Sequence, residues 1–319
     1  MKKRIAVLDA ATLGDDLDLS CFREVGDLTV YRETTVHSAA EHLAGAQIAV
    51  LNKVRLSAEI LSQASDLELI CESATGFDNI DLAYCRAHGI AVCNVVGYST
   101  QCVAQLTISM ALSLITRLET FGTFVRSGEY TRSGIANRLT PVFHEIAGKT
   151  WGIIGYGNIG RQVARVADAL GCRVIVYKRT PTAERECVNL EELCRRSDIV
   201  SIHTPLNETT KNLFDAEHIA MLKATAIVIN VARGAVTDEG ALADAIRKGR
   251  LGGLGVDVYS EEPFPKDHPF DAIKSDPRVL LTPHMAWGGY ETRVRLLEEM
   301  MENIRSFLLG GVRNRVDLQ

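Results

Sequence analysis

Thr150-Trp-Gly-Ile-Ile-Gly155-Tyr-Gly157-Asn-Ile-Gly160-Arg-Gln-Val163 is the stretch whose reading decides the fold. A short apolar run enters a turn spelled Gly-x-Gly-x-x-Gly, and Val163, Val166 and Leu170 then recur at helical spacing until Gly171. That order is strand, tight turn, helix. Each glycine answers a steric demand: Gly155 for the turn, Gly157 for the approach of a pyrophosphate to the backbone, Gly160 for close packing of helix on strand. The unpaired N–H groups at the start of the helix then attract the anion. On this reading Gly155, Tyr156, Gly157, Asn158, Ile159 and Gly160 hold a dinucleotide.

Downstream of the loop, residues 173–177, 198–203, 226–231, 254–258 and 279–282 are β-rich runs separated by helical ones. With residues 150–154 they make six strands, the size of a complete dinucleotide-binding domain. Upstream, residues 4–9, 28–32, 48–52, 67–71 and 90–94 would form a second, five-stranded parallel layer. Between the two, a long helix is predicted, with Ser99 or Thr100 as its N-cap and Val103, Leu106, Met110, Leu114 and Ile115 at its apolar positions. After residue 291, Val294, Leu297, Met301, Ile304 and Leu308 predict one amphipathic helix, stopped by Gly310-Gly311 and folding back onto the first domain. The fold class is therefore α/β, with residues 1–98 and 288–319 in one domain and 99–287 in the other.

The composition is that of a soluble globular protein: 319 residues, 46% apolar and 24% charged, with 35 Lys+Arg against 40 Asp+Glu for a net charge of −5. It excludes a single-motif peptide and a disordered scaffold. Without a basic run, nucleic acid and an anionic membrane are poor candidates for the main partner. Residues 1–10 lack a signal-peptide core, so a cytoplasmic protein is expected. The longest uncharged stretch, residues 87–116, is interrupted by Asn94, Gln101 and Gln105 and reads as buried core. The eight cysteines form no CxxC pair and no zinc-ligand cluster, which points to reduced core thiols and no metal site.

The second strand after the glycine loop ends Tyr177-Lys178-Arg179. NAD-selective folds place an acid here to accept a hydrogen bond from the ribose 2′-hydroxyl. A lysine cannot accept that bond, whereas Lys178 and Arg179 together can pair with a 2′-phosphate. NADP(H) is the expected cofactor, with NAD(H) as the alternative.

Three polar residues follow three later strands: Arg233, Glu262 before Pro263, and His284 after Pro283. Carboxyl ends of strands in an open parallel sheet border the ligand crevice, so residues far apart in sequence converge there. Taken singly, each would be an ordinary surface or capping residue. Together on one rim, beside a nicotinamide dinucleotide, they suit hydride transfer. A histidine protonates the carbonyl oxygen, a carboxylate on its far nitrogen fixes its tautomer, and an arginine fork binds a substrate carboxylate.

The segments Gly152-Ile-Ile-Gly-Tyr-Gly-Asn-Ile-Gly-Arg161, His203-Thr-Pro-Leu-Asn-Glu-Thr-Thr210, Asn230-Val-Ala-Arg-Gly-Ala-Val-Thr-Asp238, Gly255-Val-Asp-Val-Tyr-Ser-Glu-Glu-Pro263 and Leu281-Thr-Pro-His-Met-Ala-Trp287 carry a resemblance across essentially the whole chain. The sequence resembles the D-isomer-specific 2-hydroxyacid dehydrogenases. The resemblance implies two Rossmann-like domains, a flavodoxin-like substrate domain and an NAD(P)-binding domain, with a cleft between them. It also implies a homodimer built through the cofactor domains. His284 would be the general acid/base, Glu262 its partner and Arg233 the ligand of the substrate carboxylate. Asp257 would hold the nicotinamide carboxamide, with Ala232 near the ring and Thr107, His203 and Pro205 lining the cofactor. Residues 74–81 match the substrate-domain loop, where the N–H groups of Thr75 and Gly76 would bind the substrate carboxylate.

Several departures qualify the resemblance. Lys178 replaces the usual Asp, Gln105 stands where Glu is frequent, and no C-terminal regulatory domain is expected. Trp287 is similar to the hydroxypyruvate/glyoxylate reductase branch, where an aromatic borders the substrate pocket; plain packing is its other reading. The expected activity is reduction of a small 2-oxo acid such as hydroxypyruvate or glyoxylate to the D-2-hydroxy acid. Two alternatives stand beside it: a phosphoglycerate-type dehydrogenase, for which Lys53 and Arg55 could meet the phosphate, and a dinucleotide-sensing, corepressor-like binding protein.

Overall fold

The computed structural model describes residues 2–318. The chain divides into two compact units: one runs to Ser99 and resumes at Gly288, and the other is Thr100–Trp287. The first contains a five-stranded sheet in the order β2-β1-β3-β4-β5, formed by β1 (Lys3–Val7), β2 (Gly26–Val30), β3 (Ile48–Leu51), β4 (Leu69–Glu72) and β5 (Ala91–Cys93). All its pairings are parallel, with Ile5 registered against both Leu28 and Ile48. β3 and β4 are buried along their whole length, which is why they read as unbroken runs rather than alternating ones.

The closing helix Tyr290–Leu308 belongs to this unit and packs on β4. Its buried stripe is Leu296, Leu297, Met300, Met301 and Ile304. Two expected core positions fall outside that stripe: Val294 is half-buried and Leu308 is exposed. A helix advances about 100° per residue, so Val294 lies at the edge of a stripe centred between Leu297 and Met300, whereas Leu308 keeps the direction of Leu297 and is exposed as the last residue of the helix.

The second unit is built on a seven-stranded parallel sheet, ordered β12-β11-β10-β9-β6-β7-β8. Its strands are β6 (Thr150–Ile154), β7 (Arg173–Tyr177), β8 (Glu186–Cys187), β9 (Ile199–Ile202), β10 (Ile227–Asn230), β11 (Gly253–Val256) and β12 (Val279–Leu281). Six of them match the expected strands. β8 was not foreseen, since two residues carry no periodicity to read. The chain builds outward from β6 through β7 and β8, returns to β9 beside β6, and then builds the other way. That reversal is the switch point where such sheets open a crevice at the strand carboxyl ends.

The helix Thr100–Thr116 packs on the glycine-loop helix Asn158–Ala169 and buries Val103, Ile108, Met110, Leu114 and Ile115, so the uncharged stretch becomes core here. No single helix among the described residues is long and apolar enough to cross a membrane. Arg117, at φ 54°, ends this helix, and the segment beyond it exposes Leu118, Val125, Ile135, Leu139 and Val142. All eight cysteines are free; five are buried, while Cys21, Cys102 and Cys187 are half-buried.

Candidate active site

β6 delivers the chain into the glycine loop. Gly155 has φ 94°, and a Cβ there would lie 2.7–2.8 Å from the backbone of His203 and Thr204. Gly160 faces the carbonyl oxygen of Gly155 so closely that no side chain fits between helix and strand. Gly157 is different: a Cβ there would meet nothing within 4 Å. It is the N-cap of the helix Asn158–Ala169, and no side chain caps that helix. Open space above Gly157 and uncapped N–H groups beyond it fit a pyrophosphate. Among the flanking residues, Tyr156 is buried with its hydroxyl on Arg185 Nε at 3.2 Å, Asn158 is exposed, and Ile159 packs into the apolar core.

The ends of three later strands carry the polar residues. After β12, His284 takes φ 52°, a left-handed conformation in which histidine is enriched among non-glycine residues. Its backbone N–H is tied to the Asp257 carbonyl at 2.8 Å, and its Nδ1 donates to Glu262 Oε2 at 2.6 Å. With Nδ1 donated to a carboxylate, the tautomer and orientation of the ring are fixed by Glu262. The other Glu262 oxygen, Oε1, accepts from the Tyr259 N–H at 3.0 Å. His284 and Glu262 are thus joined directly although 22 residues separate them.

Arg233 follows β10 in a turn held by Asn230, whose amide donates to the Arg233 carbonyl at 2.9 Å and whose Oδ1 accepts from the Ala232 N–H at 3.0 Å. The Arg233 guanidinium donates to the Ala232 carbonyl at 2.8 Å. Gly234, next in the chain, lies so close to the Tyr259–Ser260 peptide that a Cβ would collide with it. Asp257 is fully buried, and its carboxylate accepts from Thr282 Oγ1 at 2.5 Å and from the N–H groups of Met285 and Ala286, both at 2.9 Å. Desolvation raises its pKa against those hydrogen bonds. In this structure the Asp257 carboxylate therefore holds the chain on both sides of His284, by the Thr282 hydroxyl before it and by two backbone N–H groups after it.

The remaining expected cofactor residues are placed unevenly. Lys178 is half-buried and Arg179 exposed just past β7, and neither makes a hydrogen bond among the described residues. Arg161 and Arg185 lie nearby, bound to Glu184 and Asp168 respectively. Thr107 is fully buried and its hydroxyl donates to the Val103 carbonyl at 2.8 Å, so its polar group is taken up within its own helix. His203 shares a 3.0 Å hydrogen bond with Ser201, and burial drives its pKa down to about 3. Its Nδ1 is buried and lacks a partner among the described residues. Pro205 is exposed, and Trp287 packs against the apolar cluster that includes Ile153 and Ala286.

In the first unit, the N–H groups of Thr75 and Gly76 find no acceptor among the described residues, while the Thr75 side chain is anchored on the Val95 carbonyl at 2.7 Å. The loop carrying Lys53 is gripped from two directions. Asp9 accepts from the N–H groups of Asn52, Lys53 and Val54, and the Asn79 amide donates to the carbonyls of Asn52 and Val54. Glu72, fully buried beside Asn79, has its pKa pushed well up by desolvation. Sequence reasoning missed this cluster, because a lone acid ending an apolar strand has no spacing partner to reveal it. It also missed Glu239 and His268, which form a second His–Glu pair at 3.1 Å. Glu239 follows the helix N-cap Asp238 and looks like an ordinary first-turn acid.

Comparison with known proteins agrees with this geometry. Residues 108–286 match the family described as "D-isomer specific 2-hydroxyacid dehydrogenase, NAD binding domain". A glycerate dehydrogenase of Methylorubrum extorquens is 35% identical over 318 residues, 99% of this chain and 100% of that protein. A glyoxylate reductase of Aeropyrum pernix is 38% identical over 265 residues, 81% of this chain and 78% of its own. Among solved structures, the D-lactate dehydrogenase of Aquifex aeolicus, complexed with NAD and lactic acid, superposes with a TM-score of 0.87 at 28% identity, covering 99% of each chain.

Proposed function

The chain belongs to the D-isomer-specific 2-hydroxyacid dehydrogenase family, and from that premise we propose that it reduces a small 2-oxo acid, hydroxypyruvate or glyoxylate, to the D-2-hydroxy acid. The observation that carries the reading is the 2.6 Å bond between His284 and Glu262 at the end of β12, in the same unit as the open glycine loop. A reduced nicotinamide dinucleotide, which the glycine loop from Gly155 to Gly160 would hold by its pyrophosphate, would supply the hydride when bound. His284, charged and held by Glu262, gives its Nε2 proton to the carbonyl oxygen as that oxygen gains electron density. Glu262 offsets the positive ring before transfer and keeps Nδ1 protonated after it. Arg233 presents a planar fork to the substrate carboxylate, and in the first unit the N–H groups of Thr75 and Gly76 are donors of the kind a carboxylate accepts from. In the reverse direction neutral His284 accepts the hydroxyl proton.

NADPH is the preferred reductant in this reading. Lys178 and Arg179 replace the acid that would bind a ribose 2′-hydroxyl, and unlike Arg161 and Arg185, which are paired with Glu184 and Asp168, they form no ion pair among the described residues. The chain is read as a homodimer through its cofactor domain. The support is the exposed apolar segment containing Leu118, Ile135, Leu139 and Val142, each 63–69% exposed, which is costly to leave in water. Eight free thiols suit a reducing compartment such as the cytoplasm.

The test is loss of reduced-nicotinamide absorbance with purified protein, crossing NADPH and NADH with hydroxypyruvate, glyoxylate and pyruvate. Turnover of hydroxypyruvate or glyoxylate, faster with NADPH, is expected. Substituting Lys178 and Arg179 together by alanine should lower kcat/KM for NADPH about 10–100-fold and leave that for NADH nearly unchanged. A clear NADH preference in the unmodified protein would end the cofactor assignment; absence of turnover with every 2-oxo acid would end the substrate assignment.

A further inference from the structure

We propose that Glu239 is a positioning residue for the acid/base pair, acting through the Tyr259–Ser260 peptide to hold Glu262 within reach of His284. The proposal rests on the reading of His284 as proton donor and assigns the part of the structure that keeps it loaded.

Glu262 lies in a surface loop, its side chain 29% exposed, where a free carboxylate samples several rotamers. Its partner at Oε1 is the Tyr259 N–H. The next N–H along the chain, that of Ser260, donates to Glu239 Oε1 at 3.0 Å, and the Ser260 hydroxyl donates to Glu239 Oε2. Two successive N–H groups of one turn are therefore taken by two different carboxylates. Glu239 does not cap its own helix, because Asp238 already accepts from the Ala241 N–H. It is 8% exposed, and His268 Nε2 donates to its Oε2 at 3.1 Å. His268 is fixed in turn, since its Nδ1 accepts from the Phe270 N–H at 3.2 Å.

The same peptide touches the other two polar residues indirectly. Gly234 closes on it from the Arg233 turn, and the Tyr259 hydroxyl donates to the Thr282 carbonyl at 2.9 Å, two residues before His284. A buried, fully hydrogen-bonded anchor beneath a half-exposed acid/base pair is the arrangement that holds reacting groups to a fraction of an ångström.

The experiment compares the full-length protein with E239Q, E262Q and the double variant. The first readout is the far-downfield proton resonance of His284 Nδ1–H, assigned by its loss in H284N, which needs no substrate. The second is kcat and KM with hydroxypyruvate and NADPH. Glutamine at 239 turns an NH2 group toward a donor, so E239Q should broaden or abolish the resonance and lower kcat about tenfold, with the cofactor KM within about twofold. Added to E262Q, it should change kcat less than about twofold, because the residue it acts through is already gone. An intact resonance with unchanged kcat in E239Q, or an equal loss of kcat with and without E262Q, overturns the proposal. Should E239Q not fold, S260A serves in its place: it keeps the N–H but loses the hydroxyl bond, and should weaken the resonance and lower kcat about threefold. Wild-type behaviour of S260A in both readouts would overturn the proposal as well. A resonance that responds to E239Q in a protein turning over no 2-oxo acid would support the positioning role while sinking the reductase reading.

Discussion

His284 with Glu262 and His268 with Glu239 are the same chemical pair set in two regions of one unit. The first lies at the strand carboxyl ends, 2.6 Å long, with side chains 20% and 29% exposed. The second is 3.1 Å long, with side chains 5% and 8% exposed. Exposure is the smaller difference. His284 commits Nδ1 to a glutamate on the rim of the strand ends, whereas His268 has both nitrogens fixed inside the unit, Nε2 on Glu239 and Nδ1 on the Phe270 N–H. A ring with both nitrogens occupied cannot pass a proton outward without breaking a bond, so the buried pair holds structure and the rim pair can do chemistry. His203 supplies a third case, a histidine with no carboxylate, which burial keeps neutral with a pKa of about 3.

The sharpest break of the comparison is H284N, which removes the proton donor. It should lower kcat about 10²–10⁴-fold while the cofactor Kd, read by fluorescence titration, stays within about threefold. Comparable turnover in the variant would move the acid/base role elsewhere. E262Q should cost less, about 10–100-fold in kcat, because the ring remains but its charged form loses its partner. A loss as small as twofold would make Glu262 a bystander.

H268L tests the other side. It strips a donor from Glu239 and leaves the Phe270 N–H unpaired in a buried setting, at about 2 kcal/mol, or a Tm lower by about 4–8 °C. Its kcat should fall far less than that of H284N, and the reverse ranking would break the distinction between the pairs. The effect absent at neutral pH concerns His203. Its folded pKa lies below the ordinary value near 6.5, so the unfolded chain binds more protons between about pH 6.5 and 3. Stability from this group is full above about pH 6.5 and falls with acidification by at most about 1.4 kcal/mol per pH unit. H203Q should flatten that part of the Tm-versus-pH curve, and an unchanged slope would mean that the ring is hydrated in the folded protein.

The site was legible in the sequence to different depths. Gly155, Gly157 and Gly160 could be assigned separate duties because a missing side chain has local steric meaning, and each lies in a different environment in the structure. Arg233, Glu262 and His284 could be picked out because each follows an apolar strand and so must lie at a strand end. Glu239 could not, since its position after a helix N-cap conceals a side chain turned toward Ser260, 21 residues away. Thr107 was read as lining the cofactor, and what the structure adds is that its hydroxyl proton is donated to the Val103 carbonyl of its own helix. Asp257 was read as a ligand for the carboxamide, and the structure reveals a second occupation in holding the chain on both sides of His284.

The sequence by itself determined the α/β class, eleven of the strands to within two residues at either end, the glycine loop and the family. Those properties follow from periodicity and steric exceptions, which are written into neighbouring residues. Only the tertiary structure decided which histidine has both nitrogens fixed inside the unit, which carboxylate is buried, and which apolar side chains of residues 118–142 face water. Burial and hydrogen-bond valence are set by residues brought together from 20 or more positions apart, so no local pattern can carry them.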